Sequence, residues 1–337
     1  MLQSRPLAVQ APVTHCGKNE GGVGIGGIEI MGYWNQRTVA KRVTCSGVGL
    51  HSGRPASLTL APAPADSGIR FVRMDLDAEI PARSAHVADT TLSTNLALGK
   101  ARVHTVEHVL SALTGMGVDN CRVEVDGPEI PILDGSSAPF VALIREAGVA
   151  EQRAGKQFIV MERAVEVRDG DKLARLEPAE SLSIEFTVDF KHPLVTDQAF
   201  RFAFSDRAYE REVARARTFC FLRDIEMMKK AGLARGGSLD NAIVVDEFSI
   251  LNPEGLRFPD EFARHKVLDA IGDLSLFGLP VIGHFRAYKS GHGLNQALVA
   301  RVLGDPSSHR VIRVSAEKEM EPLRVRLPRL APAEQVA

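Results

Sequence analysis

Three short stretches concentrate the residue types that do chemistry. RHKVLDAIGD at 264–273 sets His265, Asp269 and Asp273 four residues apart. On a helix these positions fall along one face, with Val267, Leu268, Ile271 and Leu274 as an offset apolar stripe. An imidazole nitrogen and a carboxylate oxygen one turn apart can hold one metal ion. The same spacing also describes a solvated face with an i,i+4 His–Asp pair. HTVEH at 104–108 sets Glu107 beside His108, and a Glu next to a metal-binding His suits deprotonation of water. Alone, H-x-x-E-H is the inverted zincin pattern, with His104 and His108 as ligands and Glu107 as base; a helix start with unrelated histidines reads the same way. YKSGHGLN at 288–295 flanks His292 with glycines, which predicts a loop histidine closely approached by backbone. Such a histidine can give a proton to a leaving amine near neutral pH, or be merely exposed. ARTF at 216–219 sets the Thr218 hydroxyl beside Phe219 and carries no weight unaided.

These residues need elements to hold them. Val106, Val109, Leu110 and Leu113 predict a helix over 105–115, and a second is read over 139–148. Strand-like runs at 57–60 (SLTL), 68–72 (GIRFV) and 122–125 (RVEV) are bounded by Gly, Pro and Asp turns. Further strands are expected at 157–161, 173–176 and 184–190, and helical stretches at 206–217, 222–231 and 259–278. The small, polar run AGVAEQRAGK at 147–156 marks a boundary between two domains. Each half then reads as strands plus a helix pair, α+β built twice, without a repeat visible in the residues themselves.

A length of 337 residues exceeds one ordinary core of roughly 100–200. The division is an N-terminal extension over 1–34, a first domain over 35–149, a second over 150–325, and a Pro/Ala-rich tail over 326–337. Gly22, Gly24 and Gly27 formally match GxGxxG, but no strand precedes and no helix follows, so no dinucleotide site is read there. Met31 is an alternative start.

Lys and Arg number 41 against 42 Asp and Glu, so no global field attracts nucleic acid or anionic membrane. Cys16, Cys45, Cys121 and Cys220 form no CxxC pair, which suits reduced thiols in a cytosolic protein. No run of 18 or more apolar residues exists to span a membrane, and no secretory h-region opens the chain. A lipidic substrate would be met from the cytosol.

Read in order, VTCSGVGLHSG (43–53), TVEH (105–108), DNCRVEVDGPEIPILDGSSAPF (119–140), ARTF (216–219), RHKVLDAIGDL (264–274) and YKSGHGLN (288–295) resemble one family over about 36–303. It is the UDP-3-O-acyl-N-acetylglucosamine deacetylases of Gram-negative lipid A synthesis. The resemblance implies two similar α+β domains, each of sheet plus helix pair, packed as a sandwich with the helices between the sheets. It implies zinc-dependent hydrolysis of an N-acetyl group, with iron(II) also fitting the ligands, in a cytoplasmic monomer. By the same resemblance His108, His265 and Asp269 hold the metal and Glu107 is the general base. Thr218 helps hold the oxyanion, His292 stabilises it and protonates the leaving nitrogen, and Asp273 orients His292. Lys266 points at the sugar or diphosphate, and Phe219 and Phe186 lie near nucleotide and sugar. An insert at about 220–245 forms an acyl tunnel, drawing on Phe221, Leu222, Ile225, Met228 and Ala231, and Leu92 lies near the mouth of the zinc site.

His51 and Asp134, in matching blocks, are read as fixing turns and buried hydrogen bonds. Ser93 stands where some members carry a cysteine near the metal. Two rivals remain: an H-x-x-E-H protease, which leaves the segments at 264–274 and 288–295 without a role, and a catalytically silent UDP-sugar-binding protein.

Overall fold

Alternation of apolar and polar residues builds the sheets. In strand Pro55–Pro62, Ala56, Leu58 and Leu60 are buried while Ser57 and Thr59 face outward and bond Ser46 and Thr44 across the ladder. The computed structural model describes residues 35–314. The expectations for 1–34 (with its glycine run, Met31 and Cys16) and for 326–337 lie outside the described residues.

Six helices occur among the described residues: α1 (Glu107–Gly115), α2 (Ala138–Ala147), α3 (Asp206–Glu212), α4 (Leu222–Lys230), α5 (Glu261–Leu274) and α6 (His292–Leu303). Two five-stranded sheets share one connectivity. In the first, Val43–Val48 pairs antiparallel with Pro55–Pro62, which pairs antiparallel with Cys121–Val125. That strand runs parallel to Ile69–Arg73, which forms a hairpin with Ala78–Pro81. In the second, Val165–Asp169, Lys172–Glu177, His284–Tyr288, Ser183–Val188 and Gln198–Ala203 repeat the order and directions. α1 and α2 precede and follow the central strand of the first sheet; α5 and α6 do the same in the second. The fold is therefore α+β, two domains of one topology, with the helices packed between the sheets.

The helix pairs make the shared core. α5 is buried nearly all round, polar residues included, as expected of a helix enclosed by its neighbours. α1 lies against it. Gly272 permits the contact: a Cβ there would sit 3.0 Å from Glu107 Cα and collide with the Glu107 carbonyl oxygen. Gly272→Ala should therefore lower stability by about 1–3 kcal/mol through overpacking, read as the urea unfolding midpoint. An unchanged midpoint would contradict so close an approach.

The run at 147–156, read as a domain boundary, opens strand Val149–Met161. Its first part pairs with Asn35–Val39 and its second with His309–Val314 and Val281–Ile282, because ladder bonds satisfy the backbone of small residues that have no core to fill. The helix read over 206–217 stops at Glu212. His292 lies not in a loop but at the first position of α6, with Gly291 as the N-cap.

Candidate metal and catalytic site

His108 is the second residue of α1, and His265 and Asp269 stand one turn apart on α5. The contact at Gly272 brings them together, so that one atom from each lies within 4.8 Å of the others. Asp269 Oδ1 is 3.3 Å from His265 Nε2 and 3.7 Å from His108 Nε2. His265 Nδ1–H donates to the Ala216 carbonyl at 3.0 Å, which turns the lone pair of Nε2 toward this point. All three side chains are buried. Burial holds the His265 imidazole below its ordinary pKa and, with His265 beside it, pushes His108 down to about 3. Both are thus neutral, as ligation requires. Burial alone would raise the Asp269 carboxyl, but His265 and the Lys266 ammonium, which donates to Oδ2 at 2.7 Å, hold it well below the carboxylate range.

Asp269 Oδ1 and His108 Nδ1 are buried without a hydrogen bond. An orphaned carboxylate oxygen facing two imidazole nitrogens is costly unless a cation joins them. Two nitrogens and one oxygen are also the donor set of an open, three-ligand catalytic metal site. The residues fit a metal.

His104 does not join them. Thr105 sits at φ +61° and α1 begins only at Glu107, so His104 and His108 share no helical face. His104 instead bridges to Glu129. The inverted zincin arrangement is absent because the backbone turns between its two histidines.

Beside the metal-ligating group stands an acid–base pair. Glu107 Oε2 accepts the Thr94 N–H at 3.0 Å, and Oε1 lies 3.9 Å from His292 Nε2. Burial pushes the Glu107 carboxyl up to about 7. His292 Nδ1–H donates to Asp273 Oδ2 at 3.0 Å. Burial disfavours the His292 cation, and so does its place at a helix N-terminus. Asp273, joined by Glu107 and Asp269, outweighs both and raises it to about 9. Asp273 accepts two further hydrogen bonds, from Thr94 Oγ1–H at 2.6 Å and Asn295 Nδ2–H at 2.8 Å. Thr94 had no signal in the sequence, and Asn295 had only its place in YKSGHGLN.

A cavity of about 380 Å³ lies alongside, lined by Leu92, Thr218, Phe219 and a face of α4 with Leu222, Ile225 and Met228. Its wall is a βαβ insert: Phe219–Phe221 runs parallel to Ile243–Val245, with α4 between. The Phe219 ring packs edge-on to Phe262 and stands 6.3 Å from His265, linking cavity to metal-ligating group. Phe221 and Ala231 do not line it; Phe221 is buried against Phe190 and His192, and Ala231 faces solvent. Phe186 is also corrected: it is 0% exposed on the inner face of its sheet and offers a ligand no surface.

The family described as "LpxC: UDP-3-O-acyl N-acetylglycosamine deacetylase" has a sequence model that matches residues 36–304. The chain is 73% identical over 290 residues to a UDP-3-O-acyl-N-acetylglucosamine deacetylase of an Anaeromyxobacter species (strain Fw109-5), covering 86% of this chain and 95% of that protein. It is 70% identical to the one from Anaeromyxobacter dehalogenans, over 89% of this chain and 98% of that protein. Against that of Myxococcus xanthus the identity is 59%, over 83% and 90%. With the match spanning both sheets and every residue of the buried group, this chain belongs to the UDP-3-O-acyl-N-acetylglucosamine deacetylase family.

Proposed function

We propose that this chain removes the N-acetyl group of UDP-3-O-(3-hydroxyacyl)-N-acetylglucosamine, releasing acetate and the free amine, as a cytoplasmic monomer in lipid A biosynthesis. The observation that carries this reading is the meeting of His108, His265 and Asp269 with Glu107 and His292 in one buried place beside an apolar cavity. No helix among the described residues is long and apolar enough to cross a membrane. The division into domains at 149/150 is part of the same proposal.

Zinc, with iron(II) an alternative for the same donors, would be held by His108, His265 and Asp269 and would supply Lewis acidity toward the acetyl carbonyl and water. Glu107, through Oε1, takes the proton of the attacking water. Thr218 and the His292 cation face the oxygen that gains charge. His292 then gives its Nε2 proton to the leaving nitrogen, while Asp273 holds Nδ1–H and fixes the ring. Lys266 donates one N–H to Asp269 and keeps the others for sugar or diphosphate. Phe219 packs against the sugar, and the acyl chain fills the cavity past Leu92 and α4.

Purified protein tests this directly: acetate should be released from the 3-O-acylated UDP-sugar and far more slowly from UDP-N-acetylglucosamine. No acetate from the acylated substrate would end the proposal. Ile225→Trp should fill part of the cavity. Excluding about three methylenes at ~0.8 kcal/mol each would cut kcat/KM for long acyl chains roughly 50-fold, and short-chain substrates should be spared. Equal losses on both would show that the chain lies elsewhere.

The pH profile follows from His292. It must be protonated to donate, and its pKa is raised to about 9, so turnover should fall as pH rises through about 9. Asp273→Asn removes the main source of that rise and should move this limb toward the ordinary histidine value of about 6.5. A limb that stays in place would take His292 out of the role of acid.

A further inference from the structure

Thr94 is 0% exposed in the segment between strands Val87–Asp89 and Asn95–Leu98, and its backbone and side-chain polar groups all bond to the two catalytic arms. Its N–H donates to Glu107 Oε2 at 3.0 Å. Its carbonyl accepts the N–H of Val106, the residue that caps α1, at 3.1 Å. Its Oγ1–H donates to Asp273 Oδ1 at 2.6 Å. One residue thus binds the carboxylate that takes a proton and the carboxylate that holds the proton donor, which come from different domains.

The choice of oxygens gives the arrangement its chemistry. Thr94 engages Oε2 of Glu107 and leaves Oε1 toward His292 Nε2, 3.9 Å away. It engages Oδ1 of Asp273 and leaves Oδ2, the oxygen nearer His292 Nδ1, at 3.0 Å. The backbone around it is strained: Leu92 at φ +59° and Thr105 at φ +61° are both non-glycine residues in the left-handed region. Asn95 Oδ1 secures the second of these by accepting the Thr105 N–H at 3.1 Å. Strain of this kind persists only where surrounding contacts impose it, and it gathers at functional sites.

We propose that Thr94 is a positioning residue that sets the general base and the Asp273–His292 pair in register across the domain interface, its hydroxyl acting through Asp273. The proposal rests on the deacetylase reading for its effect on turnover. A bond from a hydroxyl to a buried carboxylate is charge-assisted; Thr94 supplies the short bond to Oδ1 of Asp273, while His292 and Asn295 hold Oδ2.

The test compares Thr94→Val, which keeps the shape and loses the hydroxyl, with Thr94→Ser, which does the reverse. Thr94→Val should lower kcat about 10- to 100-fold with KM and metal content nearly unchanged, and Thr94→Ser should retain most of kcat. In an Asp273→Ala background, which removes the acceptor of the Thr94 hydroxyl, Thr94→Val should cost little more. Val restoring what Ser loses would mean a packing role and overturn the proposal, as would equal losses from Thr94→Val in both backgrounds. The same double-mutant cycle read by urea unfolding midpoints needs no activity, and there the two substitutions should be non-additive; additive shifts would sink the link. If the wild type releases no acetate, the deacetylase reading falls while the unfolding cycle still decides the Thr94–Asp273 contact.

Discussion

Glu107→Gln should leave metal content unchanged and lower turnover about 10²–10⁴-fold, the usual contribution of a positioned general base. The substitution keeps the size of the side chain, and its carbonyl oxygen can still accept the Thr94 N–H in place of Oε2. Only the capacity to take a proton is lost. Burial pushes this carboxyl up to about 7, which brings its proton affinity close to what a base working near neutral pH needs. It must be ionised to act, so turnover in the wild type rises with pH as Glu107 loses its proton, and the charge of a cation at the adjacent His108 moves that limb lower. The measurement is kcat alongside metal analysis of the same preparation. Near-wild-type turnover in the Gln variant would remove Glu107 from the mechanism, and metal lost with activity would make it a ligand.

Asp269→Asn should abolish metal binding and activity together, a loss at least as deep as that of Glu107→Gln. Asp269 is the only charged member of the three-residue group, and its Oδ1 faces both imidazoles with no hydrogen bond of its own. Neutralising it removes the anionic donor, and the Lys266 ammonium beside it then repels an approaching cation. His104→Ala, in contrast, should keep both metal and turnover, since His104 stands outside the group. Metal analysis after dialysis, with re-addition of zinc or iron(II) to chelated wild type, distinguishes the cases. Metal lost from the His104 variant but kept by Asp269→Asn would overturn the assignment.

How much of this was legible follows from the range of the forces involved. Helical spacing put His265, Asp269 and Asp273 on one face, and adjacency put Glu107 beside His108, because both are local properties of one helix turn. The order of motifs pointed to the family, and the α4 face at Leu222, Ile225 and Met228 was readable as an apolar stripe. Other features lay out of reach. The resemblance sets Phe186 near nucleotide and sugar, yet the register of Ser183–Val188 turns it into the core. His292 reads as a glycine-flanked loop residue, yet α6 starts on it, its polar first turn giving little amphipathic signal.

Chain chemistry by itself determined which side chains could bind a metal, move a proton and line an apolar cavity. Only the tertiary structure decided that they meet. His108 and Asp269 are 161 positions apart, and what joins them is the absence of a side chain at Gly272, which lets α1 and α5 touch. Thr94 gains its meaning the same way, from two carboxylates that the folded interface brings within hydrogen-bond reach. Local patterns encode what a residue can do, whereas close packing between distant helices sets, to within about 1 Å, the distances on which proton transfer and metal binding depend.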